Sequence, residues 1–375
     1  MRIKFGEVQI NEKSKDYIKE CLDSKYLTMG PKVKEFENQW AKKFGYRGAK
    51  AVSSGTAACI AACLALYDLG AEPGDEIIVP GLSFIATANA VRAAGFTPIF
   101  CDVNAETLVI DEEKIEEVIC HRTRAIMPVA LMGKPPKMDV IRKIADEKGL
   151  IVILDNCEGH GCKYKGKHMS KWADMVVYSC YAAHIVFSVE FGFVGCKTKE
   201  LADSIESVRS HGRPRGSLYF NHERFGLNLK PTDLHAAIGL GNFEDFDAIF
   251  DKRKSNQTYI REGLKGLEDY FWFVEEDKGD TNSPHAFSLT VKPDVGNITI
   301  EGLQDALDTA DIEWKRNFGA MNEHGCFKYL RNSYKCPVAS YIGDNGLHIG
   351  VHQLLTKEDL DRIVSTIKKY VEKNK

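Results

Sequence analysis

The chain has 375 residues, 44% of them hydrophobic and 27% charged, with a formal net charge of −3. That is enough apolar material for one sizeable core and a second, smaller one, and it excludes a disordered or fibrous chain. Acidic and basic residues are interspersed, so neither nucleic acid nor an anionic membrane is an expected partner, and small molecules are.

The start, "MRIKFGEVQINEKSKDYI", lacks the long apolar stretch of a signal peptide, and no segment reaches the roughly 18 continuous apolar residues of a membrane helix. A cytoplasmic protein is expected. "KVKEFENQWAKKF" carries an apolar stripe at helical spacing, and "SSGTAACIAACLALYDLG" reads as a Ser/Gly/Thr turn feeding a more buried helix that ends at Gly70. From about residue 50 to 200, short β-branched runs alternate with amphipathic segments; the strand candidates are "DEIIVP", "FTPIFCDV", "AIMPVALMG", "LIVILDN", "MVVYSCY" and "FGFVGC". The alternation predicts an α/β fold with a mainly parallel sheet covered on both faces. Asp102, Asp155 and Ser179 stand at the C-terminal ends of these strands, the edge at which open α/β sheets hold ligands. "KPTDLHAAIGLGNFEDFDAIFDKRKSNQTYIREGLKGL" predicts a helix pair or one interrupted helix. From about Tyr270 the texture changes to short strands ("FWFVEE", "AFSLTVK", "LHIGVH") and two helices ("TIEGLQDALDTA", "KEDLDRIVSTIKKYVEK"), an α+β pattern. The expected division is a large domain over 1–250 and a small C-terminal domain over 251–375, with the N-terminal segment contributing to the small one.

Eleven cysteines are an odd number, and most sit in apolar runs, as Cys59, Cys63, Cys101 and Cys180 do, so they read as reduced thiols. No C-x-x-C pair occurs, and only Cys326 and Cys336 lie beyond Cys196. A four-cysteine zinc or iron–sulfur site in the C-terminal half is thereby excluded, and no metal is expected.

Three stretches carry chemistry. "VSSGTAA" offers a Gly-containing turn at a helix start, where free N–H groups suit a phosphate, although taken alone the commoner account is Ser54 or Thr56 serving only as an N-cap. Asp155 in "LIVILDNCEGHG" is placed to pair with a protonated ring nitrogen, as an electron-sink cofactor requires, or to cap the following turn. "YSCYAAHIVFSVEFGFVG" reads strand, polar turn, strand, with Ser179 and then His184, a lone loop histidine.

In order and spacing these stretches resemble the DegT/DnrJ/EryC1/StrS group of sugar aminotransferases, fold type I of the pyridoxal phosphate enzymes. Further matching segments are "LTMGPKVKEFE", "GDEIIVPGLSFIATANAV", "TPIFCDV", "NLKPTDLHAAIGL" and "NGLHIGVHQLLTKEDL", so the resemblance spans nearly the whole chain. It implies a three-layer αβα large domain, a smaller α+β domain, and non-covalently bound pyridoxal or pyridoxamine phosphate. It further implies that Gly55, Thr56 and Ser179 hold the phosphate, Phe84 stacks on the ring, Asp155 binds its nitrogen and Glu158 lies beside it. Asn228 corresponds to a residue reaching the phosphate of the neighbouring subunit, which implies a homodimer with shared active sites. The implied substrate is a nucleotide sugar met by Lys315 and Arg316, with glutamate as amino donor, in deoxysugar and polysaccharide biosynthesis.

The departures are informative. Ordinary members carry a Schiff-base lysine at the position of His184, and histidine there is the mark of the family's 3-dehydratases of the GDP-colitose type. An imidazole cannot form the Schiff base, but with an ordinary pKa of about 6.5 it can move a proton. Those dehydratases carry two consecutive histidines, whereas Ile185 follows His184 here. The family's "GEGG" is "VEFG", with Val189 and Phe191 replacing glycines, and an expected arginine is Lys315. The reading is therefore C3 dehydration of a nucleotide-linked 4-keto sugar with His184 as base. The alternatives are amino transfer, or a lapsed enzyme acting as a binding protein in which Phe191 partly fills the cofactor space.

Overall fold

The structure is a computed structural model that describes residues 2–214, 216, 221–330 and 335–375. The strands, in chain order, are β1 (Gly48–Val52), β2 (Glu76–Pro80), β3 (Thr97–Cys101), β4 (Thr123–Ile126), β5 (Ile151–Asp155), the hairpin β6 (Lys163–Tyr164) and β7 (Lys167–His168), β8 (Met175–Ser179), β9 (Gly192–Cys196), β10 (Phe271–Phe273), β11 (Ala286–Val291), β12 (Trp314–Arg316) and β13 (Gly346–Gly350). The helices are α1 (Glu12–Ser24), α2 (Pro31–Phe44), α3 (Gly55–Leu64), α4 (Ala86–Ala93), α5 (Met138–Lys148), α6 (Lys199–Val208), α7 (Asp233–Glu244), α8 (Phe246–Gly263), α9 (Ile300–Thr309), α10 (Pro337–Asn345) and α11 (Lys357–Asn374).

Seven strands form one sheet in the order β1-β9-β8-β5-β4-β2-β3. All neighbours pair parallel except β9, which runs against both β1 and β8. The apolar runs fill both faces in alternation: Ile153 and Val177 pack into the layer under α3, α4 and α6, while Val152, Leu154 and Val176 pack toward α2, α5 and α7. This is the α/β, three-layer, mainly parallel architecture that the alternation predicts. The second sheet is antiparallel, in the order β10-β11-β13-β12, and is backed by α8, α9 and α11 over a separate core that includes Ile3. The N-terminal segment joins it through the Ile3–Ile312 bridge.

Some elements escape the sequence patterns. β1, "GAKAV", has little β-propensity and is a strand because it pairs along its whole length with β9. β12 is three residues long and held by β13. The apolar run "AIMPVALMG" is strand only to Ile126, because Pro128 cannot donate to a ladder, and the chain resumes as a turn at Leu131–Gly133. The long helical stretch is two helices broken at Asp245. No helix among the described residues is long and apolar enough to cross a membrane.

Candidate active site

The C-terminal ends of β5 and β8, the start of α3 and the edge of the second sheet enclose a cavity of ≈ 480 Å³. Gly55, Thr56, Phe84, Asp155, Glu158, Ser179, His184, Lys315 and Arg316 all line it. Asn228 does not: it is exposed and pairs through its backbone with Ser210.

At one end lies the first turn of α3. Ser54 caps the helix by accepting from the Ala57 N–H at 3.1 Å, so the N-cap reading of this serine holds. A Cβ on Gly55 would stand 2.5 Å from the Ser179 Cβ, so only glycine lets the helix start close onto the end of β8. The result is a set of first-turn N–H groups beside the Ser179 hydroxyl, a ready anion site.

At the floor, Asp155 is buried at the tip of β5. Its Oδ2 accepts from the Thr87 hydroxyl at 2.8 Å and its Oδ1 from the Cys157 N–H at 3.2 Å, which fixes the carboxylate plane. Phe84 stands in the wall with 58% of its surface exposed and its ring edge-on to Phe318, so an aromatic face is available for stacking. Glu158 accepts from the Met132 N–H at 2.6 Å and lies 3.5 Å from His285 Nε2. Burial pushes the Glu158 carboxyl up to about 7, with the Asp155 charge adding to the effect and the Met132 N–H opposing it.

His184 lies in the loop between β8 and β9, pinned by its own N–H to the Tyr181 carbonyl at 2.9 Å. Its Nδ1 is buried without a hydrogen-bond partner, and the residue lines the cavity. Its imidazole lies between two others: His160 stacks at 5.7 Å and His285 tilts against it at 5.1 Å. Burial holds His184 well below the ordinary histidine range, and the charges of His160 and Arg253 push the same way, so the ring is neutral at pH 7. Two residues that the sequence patterns did not single out fix this loop. His285 reaches in from the start of β11, and the buried guanidinium of Arg253 in α8 donates to the carbonyls of Ala183 at 3.1 Å and His184 at 3.2 Å. Each lies far from His184 in sequence and no local pattern marks either.

One expectation about the loop is changed, and one replaced glycine leaves strain. Phe191 does not fill the cavity: it is 1% exposed and packs into the opposite core against Phe36 and Phe193. Val189 sits at φ +55°, a conformation that glycine adopts freely and a β-branched residue only under strain. Val189→Gly is therefore expected to stabilise the protein by about 1 kcal/mol, the released strain exceeding the added entropy of the unfolded chain. A lower melting temperature for that variant would contradict this account.

On the opposite wall, Lys315 and Arg316 project from β12. The Lys315 ammonium lies 4.2 Å from the centre of the Phe5 ring, and Arg316 donates to the Asp344 carbonyl at 2.9 Å. Among the described residues Lys315 is the one lysine that lines the cavity.

A profile of the DegT/DnrJ/EryC1/StrS aminotransferase family matches residues 8–368. The chain belongs to that family. Among relatives in this family, the GDP-perosamine synthase of Caulobacter vibrioides is 31% identical, over 98% of this chain and 97% of its own. The GDP-4-keto-6-deoxy-D-mannose 3-dehydratase of Yersinia pseudotuberculosis is 30% identical over 96% of both chains. The solved Escherichia coli GDP-4-keto-6-deoxy-D-mannose-3-dehydratase, with bound hydrated PLP, superposes with a TM-score of 0.88 at 27% identity, covering 98% of this chain and 99% of that one. DegT-family relatives at nearly equal distance thus carry names of two different chemistries.

Proposed function

We propose that the chain binds pyridoxal or pyridoxamine 5′-phosphate without a covalent link and removes the C3 hydroxyl of a nucleotide-linked 4-keto sugar, with His184 as general base. The observation that carries the reading is the neutral imidazole of His184 on the cavity wall where the family resemblance calls for an amine. The one lining lysine is on the other sheet, with its ammonium over Phe5.

The residues present fit the cofactor. The close approach at Gly55 and Ser179 leaves the N–H groups of α3 for the phosphate, Asp155 is oriented for the ring nitrogen, and Phe84 offers a stacking face. When bound, the cofactor supplies a primary amine and an electron-withdrawing ring. Asp155 would keep a proton on the ring nitrogen of the bound cofactor. His184 would take on Nε2 the proton lost from the carbon bearing the cofactor's amine and would pass it to the departing hydroxyl oxygen, so that water leaves and the ring returns to the neutral form that burial favours. Lys315 and Arg316 supply the positive charge for a nucleotide diphosphate, and glutamate is the proposed amino donor.

Amino transfer is the second reading, supported by the perosamine synthase relatives. The discriminating experiment is incubation with GDP-4-keto-6-deoxymannose and other nucleotide 4-keto sugars in the presence of glutamate, read by mass. Loss of water is the expected outcome, and gain of an amine in place of oxygen would move the assignment to amino transfer.

The reading includes a homodimer, in which Asn228, exposed and outside its own chain's cavity, reaches the neighbour's phosphate site. Interfaces that complete a site are large and obligate, so light scattering should give twice the chain mass at micromolar concentration. A monomer would remove the role given to Asn228.

Glu158 carries a pH prediction. Its folded-state pKa, about 7, lies above the ordinary 4.5. Between those values the folded state binds more protons than the unfolded one, so this group's contribution to stability falls as pH rises through that window and is flat above it. At 1.36 kcal/mol per pKa unit the effect is at most roughly 3 kcal/mol. Glu158→Gln keeps an acceptor for the Met132 N–H and cannot ionise. Its melting temperature should exceed that of the parent at pH 8 and approach it at pH 5; equal differences at both values would show that Glu158 does not titrate in this window.

A further inference from the structure

Three metal-binding side chains meet on the cavity floor, and the proposed chemistry uses only one of them. Cys59 lies in the second turn of α3, and Cys157 stands two residues beyond Asp155. The two sulfurs and a carboxylate oxygen of Asp155 all lie within 4.8 Å of one another, and all three residues line the cavity. Cys59 Sγ is 3.7 Å from Asp155 Oδ2. A tetrahedral ion with metal–sulfur and metal–oxygen bonds of about 2.3 and 2.0 Å separates such a pair of ligand atoms by about 3.5 Å, so this pair is spaced for it within a few tenths of an ångström, and Cys157 Sγ lies within 4.8 Å of both.

The surroundings match a three-ligand site. Asp155 is oriented by the Thr87 hydroxyl and the Cys157 N–H, the kind of outer partners that hold a ligating carboxylate in place. All three residues line the cavity, which leaves room for a water molecule as the fourth ligand of a bound ion. Two thiolates and a carboxylate are a donor set suited to a borderline-soft divalent ion and poorly suited to magnesium or calcium.

We propose that Cys59, Asp155 and Cys157 form a binding site for one divalent cation of the zinc class in the cofactor-free protein, and that this ion and the cofactor exclude each other. The exclusion rests on the reading of Asp155 as the partner of the ring nitrogen; the metal site itself does not. Binding converts two thiols to metal thiolates and releases two protons to solvent, with no change of oxidation state. The metal-loaded chain is then a form held out of turnover until the ion is removed.

The test uses the full-length protein, stripped of cofactor by dialysis, and Co²⁺ alone as probe. One equivalent should produce near-ultraviolet thiolate-to-cobalt charge transfer with visible bands of tetrahedral intensity. Cys59→Ala and Cys157→Ala should each lose part of the charge-transfer band and bind Co²⁺ at least about tenfold more weakly. Cys157→Ser preserves the side-chain volume and should behave like Cys157→Ala. Circular dichroism of each variant confirms that the fold is retained. A saturating concentration of pyridoxal phosphate should abolish the cobalt signal in the parent protein. Absence of a thiolate band in the parent, or a band unchanged in both cysteine variants, would overturn the site. Persistence of the full band in the cofactor-saturated protein would overturn the exclusion. No substrate is present, so a negative cobalt result leaves the dehydration reading standing. Failure of the metal-free protein to bind pyridoxal phosphate would count against the functional reading and not against the metal site.

Discussion

His184→Asn is expected to lower turnover by roughly 10²- to 10⁴-fold, the range for deleting a positioned acid–base group, while leaving cofactor affinity nearly unchanged. The reasoning is geometric. His184 contributes a proton site on the cavity wall, whereas the contacts proposed to give affinity come from α3, Ser179, Phe84 and Asp155. Asparagine cannot accept a proton at neutral pH, yet it is close enough in size to keep the loop, which the Arg253 guanidinium holds through backbone carbonyls rather than through the imidazole. Product mass and cofactor retained after gel filtration are the two readouts. Loss of both together would mean that His184 holds the loop rather than moves a proton. His184→Lys adds a sharper test. A lysine amine facing the same space should attach the cofactor covalently, in a form fixed by borohydride, and divert the protein toward amino transfer. If the cofactor binds that variant and borohydride fixes none of it, the side chain at 184 does not face the reacting carbon.

Asp155→Asn is expected to reduce turnover by at least about 10²-fold, comparable to removing one preorganised electrostatic group from a site. An amide in the same place keeps one acceptor: its oxygen accepts from the Cys157 N–H, while its NH2 takes the place of Oδ2 and donates to the Thr87 hydroxyl oxygen, which turns its own proton to Ser83, so both contacts persist with the second one reversed. What is lost is the negative charge that keeps a ring nitrogen protonated. The cofactor absorbance should shift with the loss of that proton while the melting temperature changes little. Full activity with an unaltered spectrum would reduce Asp155 to a residue that orders the turn after β5. The same variant bears on the cobalt experiment, since a neutral amide is a poorer metal ligand, and it should weaken the ion and the cofactor's chemistry together.

The layered sheet and much of the cavity wall are legible in the sequence. Continuous apolar runs such as "LIVILD" and "MVVYS" are legible because a strand buried on both faces must be apolar at every position, and their polar ends mark where a ligand can reach. Asp155 and Ser179 are legible for that reason, and Gly55, Thr56, Phe84, Glu158, His184, Lys315 and Arg316 through family resemblance. The tertiary structure alone decided what depends on distant partners. Nothing in "GAKAV" makes a strand until β9 lies beside it. Whether Phe191 points into the cavity or the core turns on which face of the sheet its backbone presents, and a one-residue change of register would reverse the answer. The positive φ at Val189, the Arg253 clamp 69 residues from His184, and the meeting of Cys59 with Asp155, 96 residues away, follow the same logic. Periodicity reports local structure, whereas a cluster of donors from one helix and one strand exists only once the sheet order brings their ends together.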